Sequence, residues 1–84
     1  MKSAKIRITK LPHGSVPYQI SKAAGKYTCD IQIVVGTNVG NVKSPISFMS
    51  VLAKAKLPCT IEIVCSNWKD EVEALDEICK FLRN

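Results

Sequence analysis

The chain has 84 residues, 46% hydrophobic and 23% charged, with a formal net charge of +5. This length supports one domain, residues 1–84, with a modest core and no deep enclosed pocket of the kind a larger enzyme carries. The composition excludes a disordered segment, and no stretch approaches the roughly 18 apolar residues of a membrane span.

Ser3 to Lys10 alternates, with Ala4, Ile6 and Ile8 on one side and Lys5, Arg7 and Thr9 on the other. Period two over this length predicts a half-buried strand. Pro12 and Gly14 then break the pattern. A helix follows over Pro17 to Lys26, with Ile20, Ala23, Ala24 and Tyr27 at helical spacing and Gln19, Ser21, Lys22 and Lys26 on its polar side. A residue before proline is pushed out of the α region, so this helix should begin at Pro17, with Val16 outside it. Thr28 to Val35 is a second strand, and Gly36-Thr37-Asn38 turns the chain into a short third one at about Val39 to Val42.

Ser44 followed by Pro45 is an N-cap and first-turn pair that opens a second helix. Ile46, Phe48, Met49, Val51, Leu52 and Ala55 make it more apolar than one buried stripe requires. Part of that surface, Ile46 and Met49 above all, should therefore face solvent as a partner surface. Leu57-Pro58 ends the helix, and Cys59 to Cys65 alternates as a fourth strand. The last helix is expected over Trp68 to Leu82, with Trp68, Val72, Leu75, Ile78, Cys79 and Leu82 as its stripe. Acids in its first turn and Lys80 and Arg83 in its last suit the dipole. The order is βαββαβα. Its one-sided strands predict an α+β (α/β) open-faced sandwich, a four-stranded sheet with helices on one face.

The bases are spread over the body and the acids cluster at Asp70, Glu71, Glu73, Asp76 and Glu77. A basic body suits an acidic protein partner or nucleic acid. Dispersed lysines, few aromatics and no RNP, KH or zinc-finger pattern make nucleic acid the weaker reading. Cys29, Cys59, Cys65 and Cys79 contain no C-x-x-C pair and the chain has one histidine, so no metal site and no cofactor is expected. The cysteines read as small core residues of a cytoplasmic protein with reduced thiols.

The single histidine, His13, lies between the first strand and the first helix. Its pKa near neutrality allows proton exchange or nucleophilic attack, and a helix N-terminus favours an anion. Together these suggest phosphate chemistry.

From end to end the chain resembles HPr, the histidine-containing phosphocarrier family of the bacterial sugar phosphotransferase system. The element order matches, and the spacing from His13 to Ser44 equals that from the family's phosphoacceptor histidine to its regulatory serine. Lys43-Ser44-Pro45-Ile46-Ser47-Phe48-Met49 resembles the family's Lys-Ser-Ile-Met-Gly-Val-Met, and the segment from Asn67 to Leu75 resembles its Gly-x-Asp-Glu-x-x-Ala-Leu. The resemblance implies a phosphoryl acceptor at His13 and a phosphorylation site at Ser44. It also implies a partner surface of Gly14, Ser15, Ile46 and Met49. The implied partners are enzyme I, a sugar permease component, a kinase and a transcription factor. The family's His-Ala-Arg-Pro-Ala motif corresponds to His13-Gly14-Ser15-Val16-Pro17. Ser15 thus stands where the family has an arginine, which removes a hydrogen bond to phosphate of about 1.5–3 kcal/mol. This leaves an alternative: an HPr-like regulatory binding protein with reduced transfer, acting through the Ser44 helix.

Overall fold

In the computed structural model, which describes residues 1–12 and 14–83, the elements are β1 (Lys2–Ile8), α1 (Val16–Ala24), β2 (Asp30–Val35), β3 (Asn38–Asn41), α2 (Pro45–Lys54), β4 (Cys59–Ser66) and α3 (Glu71–Arg83). The strands form one sheet in the order β1-β4-β2-β3, antiparallel throughout. The apolar side of each strand turns the same way. Ile6, Ile8, Ile31, Ile33, Ile61, Ile63 and Cys65 are buried, under Ile20, Phe48, Leu52, Ala74 and Ile78 from the helices. Helices α2 and α3 pack on the sheet, and α1 packs between them. The other side stays open, with Lys5, Glu62, Val34 and Val39 opposed in one row across four strands. The expected open-faced architecture is the one observed.

Several boundaries differ from expectation, each for a physical reason. Helix α1 begins at Val16, one residue before Pro17. The Gln19 amide donates to the Ser15 carbonyl at 2.9 Å, and that first helical bond holds Val16 in the turn although a proline follows. It ends at Ala24, where amides of Gly25, Lys26 and Tyr27 tighten onto carbonyls three residues back. Ser21, expected on the polar side, is 2% exposed. It shares the buried stripe of Pro17, Ile20 and Ala24, and its Oγ has no partner among the described residues.

Thr28 and Cys29 lie outside the β2 ladder. Their amides donate to the Asp70 carboxylate at 2.8 and 3.1 Å, and the Thr28 hydroxyl adds a bond of 3.1 Å. Strand β1 stops at Ile8, two residues short of the expected Lys10, and β3 covers Asn38–Asn41 with buried Val42 beyond it. The two-residue β2–β3 turn has positive φ at Gly36, the first central position, where glycine is preferred.

Helix α3 starts at Glu71, three residues later than expected. Asn67 takes φ 75°, and the Ala74 amide closes the first turn on the Asp70 carbonyl. Trp68 is therefore outside the helix and 59% exposed, which corrects its placement in the stripe. Val72 is also exposed, because it lies about 200° around the helix from buried Ala74.

Candidate functional site

The site must be built from the ends of α1 and α2, since His13 itself lies outside the described residues. Gly14 follows with φ +64°, a conformation that glycine adopts without a Cβ penalty. Ser15 is the N-cap of α1, but its hydroxyl makes no capping bond. Instead its Oγ accepts from Gln19 Nε2 at 3.0 Å. Pro17 has no amide hydrogen, so the first turn of α1 holds its Val16 and Tyr18 amides without a side-chain cap among the described residues. The first turn carries no acid either. Such an end can receive an anion, and the Ser15 hydroxyl stands beside it.

Helix α2 begins differently. The Ser44 hydroxyl accepts from the Ser47 amide at 3.4 Å, and the Phe48 amide bonds the Ser44 carbonyl at 2.9 Å. The sequence prediction of a Ser44 cap with Pro45 in the first turn is what the structure has. The helix is seated against β3 at Gly40, where a Cβ would meet Val51 Cγ2 at 2.6 Å and the Ser47 carbonyl at 3.0 Å. Ser47 Oγ also accepts from the Asn41 amide at 2.9 Å. Lys43, before the cap, donates to the Tyr27 carbonyl at 2.6 Å, which ties the α2 start to the end of α1.

The excess apolar surface of α2 is on the outside, as expected: Ile46 is 83% exposed and Met49 50%. Met49 lines a groove of about 170 Å³ with Leu11, Pro12, Pro17, Leu52 and Ala53. Residues on both sides of position 13 are thus brought against α2. Ile46, Gly14 and Ser15 do not line that groove. Leu11 and Tyr18 are exposed apolar neighbours that sequence reasoning did not select. Tyr18 was legible in principle, since it falls off the stripe of Pro17, Ile20, Ser21 and Ala24.

Nothing among the described residues forms a metal-binding group, and all four cysteines are free. Burial pushes the Cys65 thiol up to about 12 and raises those of Cys29 and Cys79. They are core residues with little thiolate character. Cys59, expected in the core, is only partly buried.

The PTS-HPr family model, described as the PTS HPr component phosphorylation site, matches residues 4–84. The chain belongs to the HPr family. No curated protein sequence matches it. Among solved structures, it is similar to the histidine-containing phosphocarrier protein of Mycoplasma, with TM-score 0.84 and 23% identity over 96% of this chain and 91% of that one. HPr-C-His of Thermoanaerobacter tengcongensis gives 0.83 at 20% identity, covering 99% and 92%. Crh of Bacillus subtilis, a catabolite repression protein described as a swapped, intertwined dimer, gives 0.73 at 17%, covering 99% and 92%. These likenesses establish the HPr fold, that of a phosphocarrier family, on an independent footing from the family match. No helix among the described residues is long and apolar enough to cross a membrane.

Proposed function

We propose that this HPr-family chain is a phosphocarrier of a sugar phosphotransferase system, working in the cytoplasm, with His13 as its phosphoryl acceptor. The observation that carries the reading is the open first turn of α1, whose amides have no side-chain cap among the described residues and which begins just after position 13. The neutral imidazole would attack phosphorus on enzyme I. A nitrogen–phosphorus bond forms as the donor bond breaks, and the phosphoryl group then passes to a sugar permease component. The amides of Val16 and Tyr18 and the Ser15 hydroxyl are the groups available to the anion, in place of the family's arginine. Met49 and Ile46, with Gly14 and Ser15, form the face on which the protein partners dock. Ser44 is the site for a kinase, where an added dianion is favoured by the α2 dipole.

A second reading is favoured by Ser15 and by the 83% exposure of Ile46. In it the chain regulates a kinase or transcription-factor partner through the Ser44 face, with reduced transfer at His13. Incubation with enzyme I and phosphoenolpyruvate, followed by intact-mass analysis, separates the two. The carrier gains one acid-labile phosphoryl group that His13→Ala lacks. Failure to gain it overturns the carrier reading. Loss of partner capture by Ile46→Ala and Met49→Ala would then support the regulatory one.

A further inference from the structure

Strand β1 is an edge of the sheet, and among the described residues its only ladder is with β4. In an antiparallel pair, alternate residues turn their N–H and C=O groups toward the neighbouring strand, and the residues between turn theirs away. Along Lys2–Ile8 this second set meets no strand among those residues. Such a row of unpaired backbone groups is a template for one more strand.

The side chains decide which kind of strand it accepts. Ser3, Lys5 and Arg7 share the open face and are exposed, while Ile6 and Ile8 are buried on the other. Opposite them on β4 stand Val64, Glu62 and Thr60, so one carboxylate answers both cations. The ion pairs found among the described residues use neither Lys5 nor Arg7. Sequence neighbours give no relief, since the first acid of the chain is Asp30. Side chains of an added strand would stand about 5 Å from those directly opposite, where unlike charges stabilise and like charges destabilise. A second copy of β1 is therefore a poor occupant. Full antiparallel overlap sets Lys5 against Lys5, and the next register with the same faces together sets it against Arg7. An acidic strand fits. Its alternate residues fall beside Ile6 and Ile8, on the face where α3 packs, and apolar side chains suit them there.

We propose that the outer edge of β1 docks an extended segment of a partner protein, with acidic and apolar residues in alternation. The segment adds as a fifth strand, its backbone bonded to β1 and its acids set against Lys5 and Arg7. No residue of β1 lines the Met49 groove, so the two surfaces are separate.

Amide NMR of the full chain, titrated with a capped peptide of alternating aspartate and valine, tests this. Saturable shifts are expected along Lys2–Ile8, with alternate amides there gaining exchange protection, and the affinity should fall as ionic strength rises. Lys5→Gln with Arg7→Gln should weaken binding about threefold to tenfold. Both side chains are exposed, so folding is not at stake. Lys54→Gln removes a charge elsewhere and should leave the affinity within about twofold. Methylating alternate backbone amides of the peptide should abolish binding in one phase and spare it in the other, because one set of amides faces β1. A peptide that binds equally well methylated in either phase, or equally well to the double variant, overturns the proposal, as do shifts centred on α1 or α2. Shifts in β1 on concentrating the chain without peptide would make a second copy the occupant and overturn it too. Enzyme I takes no part in these titrations, so this proposal and the carrier reading stand or fall separately.

Discussion

Helices α1 and α2 each start from a serine with a proline close behind, yet one start is open and the other closed. Ser44 has φ −101° and ψ 113°, an extended backbone from which its hydroxyl reaches the Ser47 amide. Ser15 has φ −89° and ψ 3°, and its hydroxyl turns instead to the Gln19 side chain. The difference traces to where the proline stands. Pro45 directly follows its serine and drives that serine into the extended region an N-cap requires. Pro17 follows Val16, so Ser15 escapes that constraint. Moving one proline by one residue thus separates a capped helix from an anion-receptive one.

The strongest way to break this contrast is to restore a cation at the open end. Ser15→Arg is expected to speed phosphoryl acceptance from enzyme I about 10–100-fold, the equivalent of a charged hydrogen bond of about 1.5–3 kcal/mol. A rate unchanged within twofold would show that the open turn does not receive the phosphate. Next in size are the two serine deletions. Ser44→Ala should lower unfolding free energy by about 1 kcal/mol in urea titration, whereas Ser15→Ala should stay within about 0.5 kcal/mol. Equal losses would refute the difference between the caps. A smaller effect sharpens the cause: Val16→Pro with Pro17→Ala places proline directly after Ser15. That pair should gain a few tenths of a kcal/mol, roughly the lower end of a capping bond, and slow phosphoryl acceptance.

Helix α3 supplies a third start, just after an Asp70 whose carboxylate accepts bonds from the distant Thr28 and Cys29, and pH reads it. Burial pushes the Asp70 carboxyl up, but bonds from Thr28 and Cys29 outweigh it and hold its pKa below the ordinary carboxylate value. Glu77, bonded by Tyr27 and Lys26, is lowered likewise. A group lowered on folding stabilises the fold above its unfolded pKa and loses that contribution as pH falls through the folded one. Stability should therefore decline below about pH 4, the unfolded carboxylate range, with a shallower decline in Asp70→Asn by thermal melts. Identical acid limbs would remove Asp70 from this role.

The same three starts show how far the chain could be read beforehand. Ser44-Pro45 is a local signal and was legible, as were the alternating faces of β1, β2 and β4 and the surplus apolar surface that leaves Ile46 outside. At Val16 a local steric rule yielded to one backbone bond from Gln19 to Ser15. The helical spacing begins at Trp68, but Asn67 before it takes a positive φ and α3 waits until Glu71. Thr28 and Cys29 carry a strand pattern, yet their amides belong to a carboxylate 42 and 41 residues away. No window of sequence contains that information. The groove joining Met49 to Pro12 and Pro17 is hidden for the same reason, being made by tertiary packing of separate elements.

The strand order carries one consequence for how the molecule comes into being. β1 is synthesised first, but its only ladder is with β4, and β2 shares β4 as its second neighbour. Until the ribosome has passed Ser66, the β2–β3 hairpin is the one strand pair that can assemble. Leu11 and Pro12 follow a strand that has no ladder partner until then. Closure by a late central strand is a long-range event, and such contacts slow folding. A chain released before β4 should show more amide-exchange protection in the β2–β3 hairpin than in β1, so the first strand to be made waits for the last strand before it can join the sheet.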